Sequence, residues 1–286
     1  MSKFNVLSLG AGVQSTALYL KFLRGELPWK LDAAIFADTQ EEPGAVYRHL
    51  EWLKSLGGPP ILVGTAGKLG DDLMNGTNST GQRFASIPAY TTADHGATVG
   101  QTKRQCSKEY KTEVIGKVLR REVLGLAPGR SPKGVHVRQF IGISLDEAGR
   151  AYRMERNVPA PRYIKRHFQL IDSLETRADC VTYLADKVPH ETPRSACVNC
   201  PFHNDYEWHK QKTSSADPQD WKRSVEIDTA LRTTGCRANR DMKQEMYLHR
   251  SCKPLELVQL DPTPPTARAV QLPMNFASEC EGVCGV

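Results

Sequence analysis

The first third of the chain alternates short apolar runs with segments of helical periodicity. Residues 4–9 form an apolar run, and the apolar side chains of residues 13–23 then recur at helical spacing. A second apolar run at residues 33–37 is followed by a helical pattern over about residues 44–56, and a third run occupies residues 60–63. This order predicts a Rossmann-like α/β fold, in which a twisted parallel sheet with right-handed crossovers carries helices on both faces.

Beyond residue 63 the pattern is interrupted and then resumes. Residues 64–101 lack periodicity and are rich in Gly, Thr, Ser and Asn, which is typical of a lid, a binding loop or a disordered excursion. A helical pattern follows over about residues 108–124, and residues 135–143 alternate like a fourth strand. We therefore predict three parts: an α/β domain at residues 1–175, a smaller helical, Cys-bearing subdomain at 176–260, and a Pro-rich linker with a mobile, Cys-bearing tail at 261–286.

Composition excludes several classes of protein. The chain has 286 residues, of which 40% are hydrophobic and 24% charged, as expected for a soluble globular protein. No apolar stretch approaches the roughly 18 residues that a membrane span needs. The N-terminus runs straight into strand-like sequence without a signal peptide, so we expect a cytoplasmic location and no membrane partner. The net charge of +6 permits a polyanionic partner, but an ordinary basic surface accounts for it equally well.

A glycine-rich loop joins the first predicted strand to the first predicted helix. It reads Ser8-Leu9-Gly10-Ala11-Gly12-Val13-Gln14-Ser15-Thr16 and is neither a Walker A loop nor a Gly-x-Gly-x-x-Gly loop. Glycines let backbone N–H groups approach an anion, the helix N-terminus adds a favourable dipole, and the hydroxyls can donate hydrogen bonds. The loop indicates a phosphate or pyrophosphate site at the carboxyl ends of parallel strands, or else an ordinary tight turn.

The loop resembles the PP-loop of the adenine-nucleotide α-hydrolase superfamily, whose usual form is Ser-Gly-Gly-x-Asp-Ser. Gly12 and Ser15 match that form, whereas Gln14 stands where Asp is usual and Gly10 where Ser is usual. A loop with Gly, a hydrophobic residue and Gln resembles the phosphoadenylylsulfate (PAPS) reductase branch. The resemblance implies a PP-loop fold that binds ATP or PAPS together with Mg²⁺.

Three further segments extend this resemblance over about residues 4–210. Asp38-Thr39, with Pro43 shortly after it, resembles the Asp-Thr-Gly…Pro element at the end of the second strand. Gly142-Ile143-Ser144 with the nearby Arg150 resembles a later Gly-x-Arg/Ser segment. Arg104-Gln105-Cys106 followed by Lys111 resembles the Cys…Lys segment beside the nucleotide.

The resemblance implies a set of residues in contact with the nucleotide: Ser8, Gly10, Gly12, Gln14, Ser15, Thr16, Asp38, Thr39, Arg104 and Gly142. Asp38 would bind Mg²⁺ or a ribose hydroxyl, or would instead begin a helix as its N-cap. Arg104 and Lys111 would neutralise the charge of a phosphate or sulfate, or would instead lie on a solvated basic helix face. We count Lys111 among the predicted catalytic residues.

Eight cysteines in a reducing compartment favour metal binding or redox chemistry over disulfides. The motif Cys197-Val198-Asn199-Cys200 places two thiolates on one tight turn, which suits zinc or an iron–sulfur cluster. Iron–sulfur adenylylsulfate reductases use a Cys-Cys pair with a C-x-x-C, and here Gln105 replaces the first Cys of that pair. The three cysteines that remain resemble the ligand set of PP-loop tRNA thiolation enzymes, in which three cysteines hold a four-iron cluster and one iron has no protein ligand.

We therefore predict Cys106, Cys197 and Cys200 as ligands of a 4Fe-4S cluster. Cys252, Cys180 or His203 could complete the ligand shell. The competing hypothesis is a structural zinc site made of Cys197, Cys200, His203 and Cys252.

The C-terminal tail carries Cys280 and Cys284 on a Gly-containing segment. Glu279-Cys280 loosely resembles the Glu-Cys-Gly tail with which PAPS reductases present a nucleophilic cysteine. We predict that Cys280 or Cys284 attacks or accepts sulfur while the other resolves the product, or else that the tail is incidental.

Three functions remain at this point. The first is an ATP-dependent, iron–sulfur sulfur transferase that forms AMP and pyrophosphate, acts on a tRNA, a DNA or a small acceptor, and takes sulfur from a donor protein. The second is a reductase that releases sulfite from PAPS or APS with a thiol reductant. The third is a zinc-containing nucleotide-binding module without turnover. The sequence leaves the oligomeric state open.

Overall fold

The structure is a computed structural model that describes residues 2–81, 87–92, 99–233 and 244–264. Its strands are β1 (Ser2–Ser8), β2 (Ala33–Asp38), β3 (Ile61–Thr65), β4 (Tyr90–Thr92), β5 (Val99–Gln101), β6 (Val135–Ile141), β7 (Ile164–His167) and β8 (Met246–Tyr247). Its α-helices are α1 (Val13–Leu23), α2 (Gly44–Ser55), α3 (Leu69–Asn75), α4 (Glu113–Val118), α5 (Ala148–Asn157), α6 (Gln169–Asp172), α7 (Arg177–Leu184), α8 (Asp205–Thr213) and α9 (Pro218–Arg232).

Five parallel strands form the central sheet in the order β3-β2-β1-β6-β7. All four neighbouring pairs are parallel, which confirms the predicted parallel α/β sheet. The strand order reverses at β1, because β2 and β3 continue on one side of it and β6 and β7 on the other. Ser8 at the end of β1 is in register with Ile35 of β2 and Ile141 of β6, so their following loops share one edge. Ligands of open α/β sheets bind at such a reversal, outside the carboxyl ends of the strands.

Alternate residues of the strands feed two separate cores on the two faces of the sheet. Leu7, Ala34 and Phe140 pack with the buried sides of α1, α2 and α7. Their strand neighbours Val6 and Ile35 pack instead with residues of α4 and α5. This division follows from the two-residue period of a strand and confirms that helices flank the sheet.

A third core lies beside the sheet. It combines α3 with α8 and α9 and with residues near β8, and Trp208 at its centre is fully buried. Cys106 and Cys197 pack against it. β8 also pairs with β4 in a small antiparallel sheet, β5-β4-β8. The third core therefore contains residues of both the first and the second predicted parts of the chain. In addition, α7 of the second part packs on α1 of the first. The boundary at residue 175 stays a prediction.

Residues 64–101 are less irregular than their composition suggests. The described part includes α3, whose Leu69 and Leu73 are buried in the third core, and the short strands β4 and β5. A seven-residue helix with one buried side shows too few repeats for a period to be recognised. The helix expected over about 108–124 is present, with i→i+5 turns at Ser107–Thr112 and Leu119–Val123 around α4. Within the described ranges no helix has the length and apolar character of a membrane span.

Candidate functional site

The glycine-rich loop is held in shape by its own side chains. Gly10 N donates to Ser15 Oγ at 3.2 Å, and that hydroxyl donates to Gly12 O at 3.2 Å. Thr16 N donates to Gly12 O at 2.9 Å at the start of α1. Ala11 has a φ of 55°, so the chain turns sharply between the two glycines. The first N–H groups of α1 therefore lie outside the carboxyl end of β1, where the helix dipole stabilises an anion.

The loop that follows β6 packs directly on this turn. A Cβ placed on Gly142 would lie 2.8 Å from Ser15 N and 3.0 Å from the carbonyl carbon of Gln14, so a larger residue would displace the backbone. Below it, Gln139 of β6 donates to Ser8 Oγ of β1 at 2.9 Å. Ser8, Ser15 and Gly142 thus shape the loop from beneath rather than line the cavity described below.

Gln14 connects three loops. Its Nε2 donates to Glu147 Oε2 at 3.0 Å and to Ser144 Oγ at 3.4 Å, both after β6. Its Oε1 accepts from Arg177 Nη1 at 2.8 Å, at the start of α7. Arg150 donates to the other oxygen of Glu147 at 3.3 Å. Two guanidinium groups are therefore positioned beside the N-terminus of α1.

Asp38 and Thr39 have different surroundings although they are adjacent at the end of β2. Asp38 Oδ1 accepts from Gln40 N at 2.7 Å and from Tyr47 Oη at 2.8 Å, and Asp38 does not line the cavity. Thr39 lines it, and its Oγ1 lies 3.2 Å from Cys197 Sγ. The end of β2 therefore joins the cysteine motif through Thr39.

Thr16 faces away from the cavity into a pair of histidines. Its Oγ1 is hydrogen-bonded to His49 Nε2 at 2.9 Å, and His49 Nδ1 is hydrogen-bonded to His190 Nε2 at 2.8 Å. Burial, followed by the nearby His190, lowers the pKa of His49 to about 4. His49 is therefore neutral at pH 7 and ties α1 to α2.

One cavity collects the three predicted cysteine ligands, Lys111 and four of the ten predicted nucleotide contacts. Gly12 and Gln14 line it together with Cys106, Cys197 and Cys200. It encloses about 1080 Å³ of atom-free space, part of which is open solvent at its mouth. Residues separated by up to about 190 positions in sequence thus share one concave surface at the reversal point of the sheet, where α/β proteins bind ligands.

Lys111 is buried on this surface and paired with Glu42. Its Nζ donates to Glu42 Oε1 at 2.8 Å, and both side chains are almost fully buried. Burial alone would lower the pKa of Lys111, but the charge of Glu42, together with that of the neighbouring cysteines when they are thiolates, outweighs burial and raises that pKa. Lys111 therefore remains an ammonium that stabilises negative charge and cannot act as a base. Thr39 and Cys197 also hydrogen-bond to Glu42, with Cys197 Sγ 3.8 Å from Oε1.

The three thiols are protonated in these surroundings. Burial, followed by the proximity of Cys200, raises the pKa of Cys106 to about 11. Burial and then Glu42 raise the pKa of Cys197 well above its usual value, and burial raises that of Cys200. A bound cation would replace these protons, because thiolates are the form that ligates metal.

Most charged side chains on the cavity wall are positive, and Glu147 is the acidic one among the residues that line it. Its wall includes the following arginines: Arg104, Arg150, Arg177 and Arg194. Arg104 stacks on the Phe202 ring with its guanidinium carbon 5.5 Å from the ring centroid, and Arg194 forms an ion pair with Glu207. A ligand with several negative charges is the chemical complement of this wall.

Several buried polar atoms beside the cysteines have no hydrogen-bond partner among the described residues. They are both carboxamide atoms of Asn199, the hydroxyl of Ser195, Oε2 of Glu42 and Nδ1 of His203. Asn199 is 1% exposed, so its unmade hydrogen bonds are costly, about 1–3 kcal/mol for each group. Such a cluster indicates that a polar ligand or group completes this end of the cavity.

The side chains at this end of the cavity are of the chemical types that bind metals. Three thiols with polar groups around them suit an iron–sulfur cluster or zinc. Within the described ranges, however, no group of three or more His, Cys, Asp or Glu side chains is already arranged to hold a metal ion. Of the alternative ligands, Cys180 belongs to the first core, and neither it nor Cys252 lines the cavity. His203 N donates to Cys200 O at 3.1 Å, which holds His203 beside the cysteine motif. Burial lowers the pKa of its ring to about 4, so the imidazole is neutral, which is the form that ligates metal.

Some predicted residues are not placed, and others were not predicted. Cys280 and Cys284 lie outside the described residues. The sequence did not predict three residues of the site, because only the tertiary fold brings them to it: Glu42, Arg177 and Ser195. Asn199 could have been predicted as a site residue from the sequence, because it lies within the C-x-x-C motif.

Comparisons with protein-family models, with curated proteins and with solved structures found no match. The functional argument for this chain therefore depends on the residues of the cavity and on their geometry.

Proposed function

We propose that this chain is a PP-loop enzyme of the PAPS-reductase-like branch, in which ATP activates an acceptor for sulfur transfer. One observation carries the proposal: Gly12 and Gln14 of the nucleotide loop line the same cavity as Cys106, Cys197 and Cys200. The nucleotide's reactive phosphate and the sulfur-bearing centre would then be neighbours. A C-terminal Cys-bearing subdomain and a cytoplasmic location belong to this proposal.

The loop binds the phosphates in this scheme. The N-terminus of α1 faces them with backbone N–H groups, while Arg150 and Arg177 contribute positive charge from two other elements. Gln14 orients Arg177, and Glu147 orients Arg150. Mg²⁺ would accompany the phosphates as it does in most nucleotide sites.

Cys106, Cys197 and Cys200 would hold a 4Fe-4S cluster, or zinc in the alternative assignment. Such a cluster, when three cysteines bind it, supplies one iron that can bind sulfide. Lys111 lowers the cost of the negative charge that the thiolates bring, because its ammonium is fixed between Glu42 and the cysteines.

The reaction balances without an oxidant. An acceptor oxygen forms a bond to the α-phosphorus of ATP, and pyrophosphate leaves. Sulfide, supplied by a sulfur-donor protein, then bonds to the acceptor carbon, and AMP leaves with the oxygen. The acceptor is a nucleic acid or a small molecule; a net charge of +6 and the exposed Lys103 and Lys108 beside Arg104 and Cys106 favour a polyanion.

Metal analysis tests the proposal first. We expect iron and acid-labile sulfide near a four-iron stoichiometry per chain after anaerobic purification, and their loss in Cys106→Ala. Cys180→Ala is the matched control, because this buried thiol lies in the first core and away from the cavity. Stoichiometric zinc that survives Cys106→Ala but not Cys252→Ser would contradict the cluster and favour the zinc site.

Product analysis separates the reactions. Sulfur transfer requires AMP and pyrophosphate from ATP only when an acceptor is present. Sulfite formed from PAPS or APS with a thiol reductant would replace the proposal by the reductase, and Cys280→Ala and Cys284→Ala would then test the tail. Nucleotide binding without either product would leave a binding module.

A further inference from the structure

The segment that leads into the cysteine motif lies directly over the nucleotide loop. A Cβ placed on Gly12 would be 3.1 Å from Ser195 Cβ, 3.2 Å from Ser195 N and 3.8 Å from Pro193 O. Glycine at position 12 therefore lets two chain segments meet that are far apart in sequence. Ser195 precedes Cys197 by two residues, so whatever binds at the loop lies close to the cysteine motif.

Ser195 has a polar group that the fold leaves unused. Its Oγ is buried and has no hydrogen-bond partner within the described parts of the chain. The residue nevertheless lines the cavity beside Gly12 and Gln14. A hydroxyl can donate one hydrogen bond and accept others, and burying it unpaired costs free energy that a structural serine would recover through a partner.

We infer that Ser195 is a phosphoryl-binding residue, whose hydroxyl donates to a phosphate oxygen of a nucleotide bound at the N-terminus of α1. This inference rests on the proposed nucleotide site and adds to it a contact from the cysteine segment. Anionic oxygen is the acceptor that fits, since most charged side chains on the cavity wall are positive and the N-terminus of α1 presents backbone N–H groups.

The position of Ser195 has a consequence for the cysteines. A phosphate that holds Ser195 also restrains the backbone that reaches Cys197 two residues later. A metal centre held by Cys197 would then be coupled to the nucleotide through this segment, and by linkage each would change the affinity of the other by the same factor.

The test compares wild type with Ser195→Ala in the full chain with its native metal content. We expect Ser195→Ala to bind ATP about tenfold more weakly, as the loss of one hydrogen bond to a charged group predicts. Adenosine, which has no phosphate, should bind both proteins equally. Ser173→Ala is the matched control, because Ser173 is exposed and lies outside the cavity.

Thermal unfolding without nucleotide supplies a second readout. Because the hydroxyl has no partner, Ser195→Ala should leave the Tm of the free chain unchanged or raise it, whereas ATP should raise the Tm of the variant less than that of wild type. Equal ATP affinity in wild type and variant would overturn the inference alone, as would a lower Tm of the free variant. Failure of wild type to bind any adenine nucleotide would overturn both the inference and the proposed function.

Discussion

Gln14 and Arg177 are 163 positions apart in sequence, yet Arg177 Nη1 donates to Gln14 Oε1 at 2.8 Å. Gln14 stands at the start of α1 and Arg177 at the start of α7, so this hydrogen bond joins two helix N-termini beside the cavity. The carboxamide orients a guanidinium that could not be assigned to the site from local sequence.

Arg177→Met should weaken ATP binding by about tenfold to a hundredfold, since a charge-assisted hydrogen bond contributes about 1.5–3 kcal/mol. Isothermal titration calorimetry measures this change. Arg24→Met is the control, because Arg24 is an exposed arginine paired with Glu26 on the surface. Unchanged affinity in Arg177→Met would show that this arginine does not meet the ligand.

The buried pair Lys111–Glu42 should behave as one unit. Either Glu42→Gln or Lys111→Met should lower the free energy of unfolding by about 3–5 kcal/mol, because each leaves an uncompensated buried charge. The double variant should recover much of that loss, and urea denaturation of all four proteins gives the coupling energy. In Glu51→Gln, which breaks the exposed pair with Lys54, the loss should stay below about 1 kcal/mol. Additive losses at positions 42 and 111 would contradict the pairing.

Acid should destabilise the chain through His49. Its folded-state pKa of about 4 lies below the unfolded value of 6.5, so the unfolded state binds more protons and stability falls as pH drops from about 6.5 to 4. His49→Gln should flatten the dependence of Tm on pH in this window, whereas exposed His136→Gln should not. Part of the slope should remain, because burial also lowers the pKa of His203 to about 4. A wild-type Tm that is constant from pH 7 to 4.5 would contradict this assignment.

Two glycine substitutions should have opposite effects. Gly142→Ala places a methyl group 2.8 Å from the backbone nitrogen of Ser15 and should cost about 1–3 kcal/mol of stability, as well as weaken ATP binding. Gly116→Ala lies in α4, where the nearest atom is the flexible end of Arg120 at 3.4 Å. It should stabilise by about 0.5–1 kcal/mol, because alanine has the higher helix propensity. Thermal unfolding compares the two, and equal effects would show that the Gly142 contact is relaxed in solution.

Local periodicity was enough to predict four of the five strands of the central sheet, whereas β7 was not predicted. The apolar runs at residues 4–9 and 33–37 became β1 and β2, and the helices after them begin at Val13 and Gly44 within the expected turns. These features depend on neighbours in sequence, because a buried strand and an amphipathic helix each repeat their pattern over a few residues. By contrast, α3 was missed, since two buried leucines in seven residues carry no detectable period.

The chemistry-bearing residue types were also recognisable in sequence, but their assembly was not. The loop at Gly12 and the motif at Cys197 each have a local signature, whereas their meeting in one cavity depends on Ser195 packing on Gly12 and Thr39 lying 3.2 Å from Cys197. Gln14 pairs with Arg177 because of how α7 packs on the sheet, and Lys111 pairs with Glu42 because of where the chain runs after β2. Sequence alone thus determined four strands of the central sheet, the helices after β1 and β2, the helical segment around α4 and the candidate donors, because these follow from short-range patterns. Only the tertiary structure decided which donors face one another, because burial and close approach bring together residues that are distant along the chain.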